Sequence, residues 1–420
     1  MSRLVLAKVY GAALLGLVLG AGAGASAATI TTSKTKHRSA GTMRVATKVT
    51  TRRGVKTVGP TKTVGMPTHS AVTRTVAHRH GARPTLAVRR TRYHEHFSAS
   101  SFADNLTLGD VTEGEDPVVR AAAIEALGNM NGTAIAIDPS TGRILAMVNQ
   151  KLALSRGAEP CSTIKLTVAL AALEEGIVRR DTPVNLGGRY HLTMTEALAH
   201  SNNLYFETLG RQLGFERVKH YANEFGLGEL AGYRIQGEQL GTYPDEELPA
   251  ALGGVGRMCS FGESVSMTPL QLGALVAAIA NGGTLYYLQH PENSLELAAF
   301  EPKVKRMLDI APLIPEISVG MEGAVQYGTA RSLRANFSEF PVMGKTGTCS
   351  NNGTRFGWFG SYADTPNGRI VTVFFLEGGR PTFGPKAAQL TGEFYRSLWD
   401  KSYFLQKTVV AADGAVGGTE

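Results

Sequence analysis

Four hundred and twenty residues, 43% of them hydrophobic, allow a sizeable core and two or three ordinary domains. The formal charge of +8 is unevenly spread: residues 29–96 carry fifteen Lys and Arg against Glu95 alone, a balance of +14, while residues 97–420 stand at −8. The folded part is therefore acidic and the basic character belongs to a tail, which could touch anionic lipid or cell-wall polymers; given the export that residues 1–28 imply, no nucleic-acid partner is expected.

Arg3 and Lys8 precede an uncharged stretch over residues 9–28, most apolar at Ala12–Leu19 and ending in the small-residue pattern Ala25-Ser26-Ala27. Residues 1–28 read as a signal peptide or a membrane anchor, so the protein is expected outside the cytoplasm, periplasmic or on the outer face of the cytoplasmic membrane. Residues 29–96 repeat themes such as Lys56-Thr57-Val58-Gly59 and Lys62-Thr63-Val64-Gly65. With little to bury and much like charge, they read as a basic disordered tether. His78, His80, His94 and His96 are too sparse to hold a metal, and no metal or cofactor is expected.

Beyond the tether, Asp116-Pro117 opens a helical pattern over Val118–Leu127 that Gly128 stops. Gly132–Asp138, the turn Pro139-Ser140-Thr141-Gly142 and Arg143–Val148 read as a β-hairpin. Glu159-Pro160-Cys161-Ser162 then signals a helix whose run Ile164–Leu173 is apolar almost all round, hence buried. Further helices are expected over Thr193–Leu209, with a loop inside it at His200–Asn203, over Arg211–Phe225, and from Thr268-Pro269 through Ala280. Residues 341–348, 357–363 and 370–376 read as strands, and Lys386–Trp399 as a closing helix. Two strands, a helical middle and three strands predict an α+β fold: one antiparallel five-stranded sheet with flanking helices and an all-helical subdomain. The folded domain is expected over residues 97–406, with a flexible tail over 407–420.

Ser162 and Lys165 stand at i and i+3, so one helical turn brings the amine beside the hydroxyl. A serine is a weak nucleophile until a base takes its proton, and a desolvated lysine can be that base. Alone, the pair reads more readily as a serine cap and a snorkelling lysine. Two more pieces follow in order: Ser201-Asn202-Asn203 and Lys345-Thr346-Gly347. Together the three resemble the motifs of the penicillin-binding protein and serine β-lactamase superfamily. The flanks Ile137-Asp138-Pro139, Gly142, Ile144–Val148, Ala197–Asn203 and Ser260-Phe261-Gly262 resemble those of its high-molecular-weight transpeptidases.

The resemblance implies a role for each residue. Ser162 attacks the carbonyl of a stem peptide ending in D-alanyl-D-alanine, or of a β-lactam, with Lys165 as base. Ser201 relays a proton to the leaving amine, and Asn203 holds Lys165 and the substrate amide. Lys345 attracts the substrate carboxylate, with the hydroxyls of Thr346 and Thr348 sharing that anion. Gly347 lets the strand come close, and the N–H groups of Ser162 and Thr348 form the oxyanion hole. The expected enzyme is a D,D-transpeptidase or carboxypeptidase of peptidoglycan, anchored at the inner membrane, with a separate glycosyltransferase as an open further partner. A serine β-lactamase and a penicillin-sensing module without turnover are the alternatives.

Several positions depart from the family's pattern. Cys161 stands where a glycine usually precedes the nucleophile, and Ser264 where a glycine is common. Only 39 positions separate Ser162 from Ser201, which implies a trimmed cleft wall. Some class A carbapenem-hydrolysing β-lactamases carry cysteines resembling Cys161 and Cys349. That likeness implies a Cys161–Cys349 disulfide in an oxidising compartment, with Cys259 left as a buried thiol.

Overall fold

The computed structural model describes residues 95–405. The expected signal peptide or anchor, nearly all of the tether and the tail lie outside the described residues. Asp116 caps α1 (Pro117–Leu127), its carboxylate accepting from the N–H groups of Val118 and Val119, and Gly128 ends the helix. The hairpin β1 (Gly132–Asp138) and β2 (Arg143–Val148) follows, then a single turn, α2 (Gln150–Ala153). A 3-10 turn, Cys161–Ile164, runs directly into the buried helix α3 (Lys165–Glu174).

The middle of the chain is helical apart from a small ribbon, β3 (Val184–Asn185) with β4 (His191–Leu192). It holds α4 (Met194–Ala199), α5 (Asn203–Leu213), α6 (Phe215–Glu224), α7 (Gly254–Phe261) and α8 (Pro269–Asn281). The single helix expected over Arg211–Phe225 is two. Gly214 at φ 79 ends α5, and Arg211 belongs to the earlier helix. A second ribbon joins β5 (Thr284–Tyr286) to β6 (Val304–Met307), with α9 (Ser294–Ala298) between them. Next come α10 (Ile314–Gln326), the long strands β7 (Val342–Asn351), β8 (Thr354–Thr365) and β9 (Gly368–Gly378), and α11 (Gly384–Asp400).

The five long strands form one antiparallel sheet in the order β2-β1-β9-β8-β7. Successive side chains of a strand point to opposite faces, and both faces here are buried. Ile135, Ile137, Met147, Trp358, Val373 and Phe375 join one core with residues of α3, α5 and α8. Ala134, Ala136, Phe359, Phe374 and Leu376 join a second core with α1 and α11. Three layers result, with β7 at an edge of the sheet and α3 against the inner face. That edge, the start of α3 and the α4–α5 break form the site.

Candidate active site

The nucleophile turn is held by its backbone. Pro160 O accepts from Thr163 N at 3.1 Å and from Thr163 Oγ1 at 2.6 Å. Cys161 takes φ 51, the left-handed region that costs a side-chain-bearing residue roughly 1–2 kcal/mol. This explains why a glycine is expected there. A disulfide joins Cys161 to Cys349 of β7, with 5.5 Å between their Cα atoms, and Cys259 is a buried free thiol. Gly347 sits against the same turn: a Cβ there would lie 2.8 Å from Pro160 O and 3.2 Å from Thr163 Cγ2. Trp358 Nε1 donates to Glu159 O at 3.0 Å, fastening β8 to the same segment. The turn and the edge strand are thus in contact over several residues.

Ser162 is half-buried, and Lys165, one turn on, is fully buried. Four oxygens surround Lys165 Nζ: Ser162 Oγ at 3.1 Å, Ser201 O at 2.8 Å, Ser201 Oγ at 3.1 Å and Asn203 Oδ1 at 2.6 Å. The carbonyl of Ser201 and the amide oxygen of Asn203 can only accept. A neutral amine has two hydrogens, and these two oxygens take them. Its lone pair is then left for a serine hydroxyl. Burial, and after it the positive charge of Lys345, hold the Lys165 amine well below the ordinary lysine range.

Lys345 is also fully buried; its Nζ donates to Ser201 Oγ at 2.8 Å and to Thr346 O at 3.0 Å. Burial pushes this amine down to about 7. Ser201 therefore bridges the two lysines through one hydroxyl. It takes φ 55, in the break between α4 and α5, where Asn202 Oδ1 caps α5 by accepting from Tyr205 N at 2.9 Å. The structure thus brings Ser162, Lys165, Ser201, Asn203 and Lys345 together.

The hydroxyls of Thr346 and Thr348 are already engaged. Thr348 Oγ1 accepts from Gly384 N at 2.8 Å, which leaves its own hydrogen to donate. Thr346 Oγ1 lies 2.6 Å from Thr329 Oγ1, so this pair has one hydrogen to give outward. Thr329 has no counterpart in the sequence reading, because the segment after α10 carries none of the three motifs. Its N–H donates to Ala199 O at 3.1 Å, tying it to the end of α4. A cavity of about 540 Å³, lined by Asp138, Arg143, Asn281 and Arg369 among others, shares no residue with this cluster.

The family described as the penicillin binding protein transpeptidase domain matches residues 132–396, from the first strand of the sheet to α11. The chain belongs to this family. Among curated relatives, Stage V sporulation protein D of Bacillus subtilis is 31% identical over 258 residues, 51% of this chain and 39% of that protein. Peptidoglycan D,D-transpeptidase FtsI of Escherichia coli is 24% identical over 340 residues, 72% of this chain and 54% of that protein. The chain thus spans about half the length of the curated relatives it matches. The solved D,D-transpeptidase domain of a peptidoglycan glycosyltransferase from Eggerthella lenta superposes with a TM-score of 0.53 at 21% identity. It covers 68% of this chain and 82% of its own. Pseudomonas aeruginosa PBP2 gives a TM-score of 0.55 at 22% identity, covering 69% and 77%. Both likenesses are of fold.

Proposed function

We propose that this protein is an exported serine acyl-transferase of peptidoglycan synthesis, a D,D-transpeptidase or D,D-carboxypeptidase, acylated by β-lactams at Ser162. The observation that carries the reading is the Lys165 amine, 3.1 Å from Ser162 Oγ, with two pure acceptors claiming its hydrogens. In the first step Ser162 Oγ bonds to the carbonyl carbon next to the terminal D-alanine while its proton passes to Lys165. The negative charge on the carbonyl oxygen is met by the N–H groups of Ser162 and Thr348. The C–N bond then breaks. Ser201 hands its proton to the leaving D-alanine nitrogen and is resupplied from the lysine pair. An amine or a water finally takes the acyl group from Ser162, returning the proton by the same path.

Lys345 in its charged form, with the hydrogens of Thr348 and of the Thr346–Thr329 pair, receives the substrate carboxylate. Among the described residues no carboxylate hydrogen-bonds Ser162 or Lys165, so a hydrolytic water would find the Lys165 amine as its base and no dedicated carboxylate. This favours a slowly deacylating enzyme over a β-lactamase. Export through residues 1–28, as a signal peptide or a membrane anchor, a tether over 29–96, a domain over 97–406 and a separate glycosyltransferase as an open further partner complete the reading, on the sequence alone.

The test is mass spectrometry of the full chain after penicillin, followed over time. A stable adduct on Ser162, absent from Ser162→Ala, is expected. An adduct that persists in Ser162→Ala overturns the assignment of the nucleophile. Rapid loss of the adduct with many turnovers of nitrocefin overturns the transferase in favour of the hydrolase.

A further inference from the structure

The middle residue of Ser201-Asn202-Asn203 has a partner outside the three motifs. The Asn202 amide is held at both ends: its Oδ1 accepts from Tyr205 N at 2.9 Å, and its Nδ2 donates to the hydroxyl of Tyr190 at 3.0 Å. Among the described residues these are the only hydrogen bonds of that side chain. The helix α5 fixes the oxygen end, and a tyrosine twelve positions upstream fixes the nitrogen end.

Tyr190 is placed by the ribbon of β3 and β4, in which Val184 pairs with Leu192 and Asn185 with His191. Between the strands, Leu186 N donates to Tyr190 O at 2.8 Å and Tyr190 N to Gly187 O at 3.0 Å. Gly187 N donates to Asn185 Oδ1 at 2.8 Å, which closes the turn. The ribbon then runs into α4 without a loop. Thr193 caps that helix, its Oγ1 accepting from Glu196 N while Glu196 Oε2 accepts from Thr193 N. The helix ends at Ala199, just before Ser201. Ribbon, helix and motif are therefore one continuous piece, and the bond from Asn202 to Tyr190 closes it on itself. Tyr190 is 47% exposed, so Tyr190→Phe removes the hydroxyl without opening a cavity in the core.

The Asn202 amide decides what the Ser201 carbonyl does. While Oδ1 holds the Tyr205 N–H, that carbonyl is left to accept from Lys165 at 2.8 Å. An amide that swings away leaves the Tyr205 N–H without its cap, and this donor then competes for the Ser201 carbonyl. Lys165 Nζ would lose one of the two acceptors that turn its lone pair towards a serine hydroxyl.

We infer that Tyr190 is a positioning residue for the acylation step, acting through Asn202 to keep the Ser201 carbonyl on Lys165. The inference rests on the acyl-transferase reading of Ser162. Tyr190 lies outside every motif, and only the fold brings its hydroxyl to Asn202.

The experiment is stopped-flow acylation of the full chain by a chromogenic cephalosporin over a range of concentrations. It separates the limiting acylation rate constant from the half-saturating concentration. Tyr190→Phe is expected to lower the rate constant roughly fivefold, the size of one neutral hydrogen bond, and to leave half-saturation unchanged. A rate constant does not depend on how much of the preparation is folded. The second background is Asn202→Ser, whose hydroxyl caps the Tyr205 N–H by itself and is too short to reach Tyr190. There Tyr190→Phe should change nothing. An unchanged rate constant in Tyr190→Phe, an effect confined to half-saturation, or the same fivefold loss in the Asn202→Ser background each overturns the positioning role and leaves the acyl-transferase reading standing. Should Asn202→Ser fail to fold, the first comparison decides alone. No acylation of Ser162 in the parent overturns both.

Discussion

Replacing the two bridged cysteines separates what the disulfide does from what the left-handed backbone beside Ser162 costs. The bond closes a sequence separation of 188 residues. In the chain-entropy account a loop of that length stabilises the folded state by about 5 kcal/mol, chiefly by restricting the unfolded chain. Cys161→Ala with Cys349→Ala removes that contribution and keeps a Cβ at φ 51. Cys161→Gly with Cys349→Ala removes the same bond but places at 161 the residue that adopts this conformation freely. The glycine variant should therefore recover about 1 kcal/mol relative to the alanine variant. Urea denaturation of the oxidised parent and both variants measures the two differences. A fluorescent penicillin in parallel reports how far acylation of Ser162 slows once the turn is no longer fastened to β7. An alanine variant within about 1 kcal/mol of the parent would refute the loop-closure argument. A glycine variant no more stable than the alanine one would refute the backbone argument.

The pH dependence of acylation should rise as the Lys165 amine loses its proton, at a pH well below the ordinary lysine value of 10.5. Lys345→Gln removes the neighbouring positive charge that helps hold that amine down, so the rising limb should move to higher pH; a stopped-flow profile with penicillin checks it. An unmoved limb would mean that the two amines do not sense each other. Thr329→Val deletes one hydroxyl of the pair behind Thr346. It should lower the acylation efficiency roughly fivefold, through weaker carboxylate binding more than through the chemical step. Ser264 takes φ 70, so Ser264→Gly should stabilise the chain by about 1 kcal/mol in urea. No gain would indicate that the surrounding loop, not the residue, sets the conformation.

Most of the sheet was legible in the sequence because each strand carries its own local signal. Gly132–Asp138 is β-branched and alternating, and Asn367-Gly368 marks a turn between two apolar runs. The break at Gly214 was not read from the sequence, because amphipathic spacing on both sides masked the glycine before Phe215-Glu216. Pairing between remote segments is different, since no local pattern encodes it. The three motifs gave the catalytic cluster only because their order and flanks resemble a known family. Thr329 lay outside that pattern, and its bond to Thr346 exists only once α10 has packed beside β7. The positive φ of Cys161 was foreshadowed by the glycine expected at that position. The geometry supplies the physical reason.

The break between α4 and α5 shows why Ser201-Asn202-Asn203 takes that order. In an uninterrupted helix the carbonyl of Ser201 would accept from the N–H of Tyr205 and be unavailable to a side chain. With Ser201 at φ 55 the helix stops, and Asn202 Oδ1 takes the Tyr205 N–H at 2.9 Å instead. The freed carbonyl turns to Lys165 at 2.8 Å, and Ser201's hydroxyl reaches both Lys165 at 3.1 Å and Lys345 at 2.8 Å. Asn203, the first residue of the new helix, points its amide oxygen at the same amine from 2.6 Å. The middle asparagine thus keeps α5 capped while its neighbours leave the helix ladder to bind lysine. Without that cap, a buried N–H at the start of α5 would compete for the oxygen that fixes the hydrogens of Lys165.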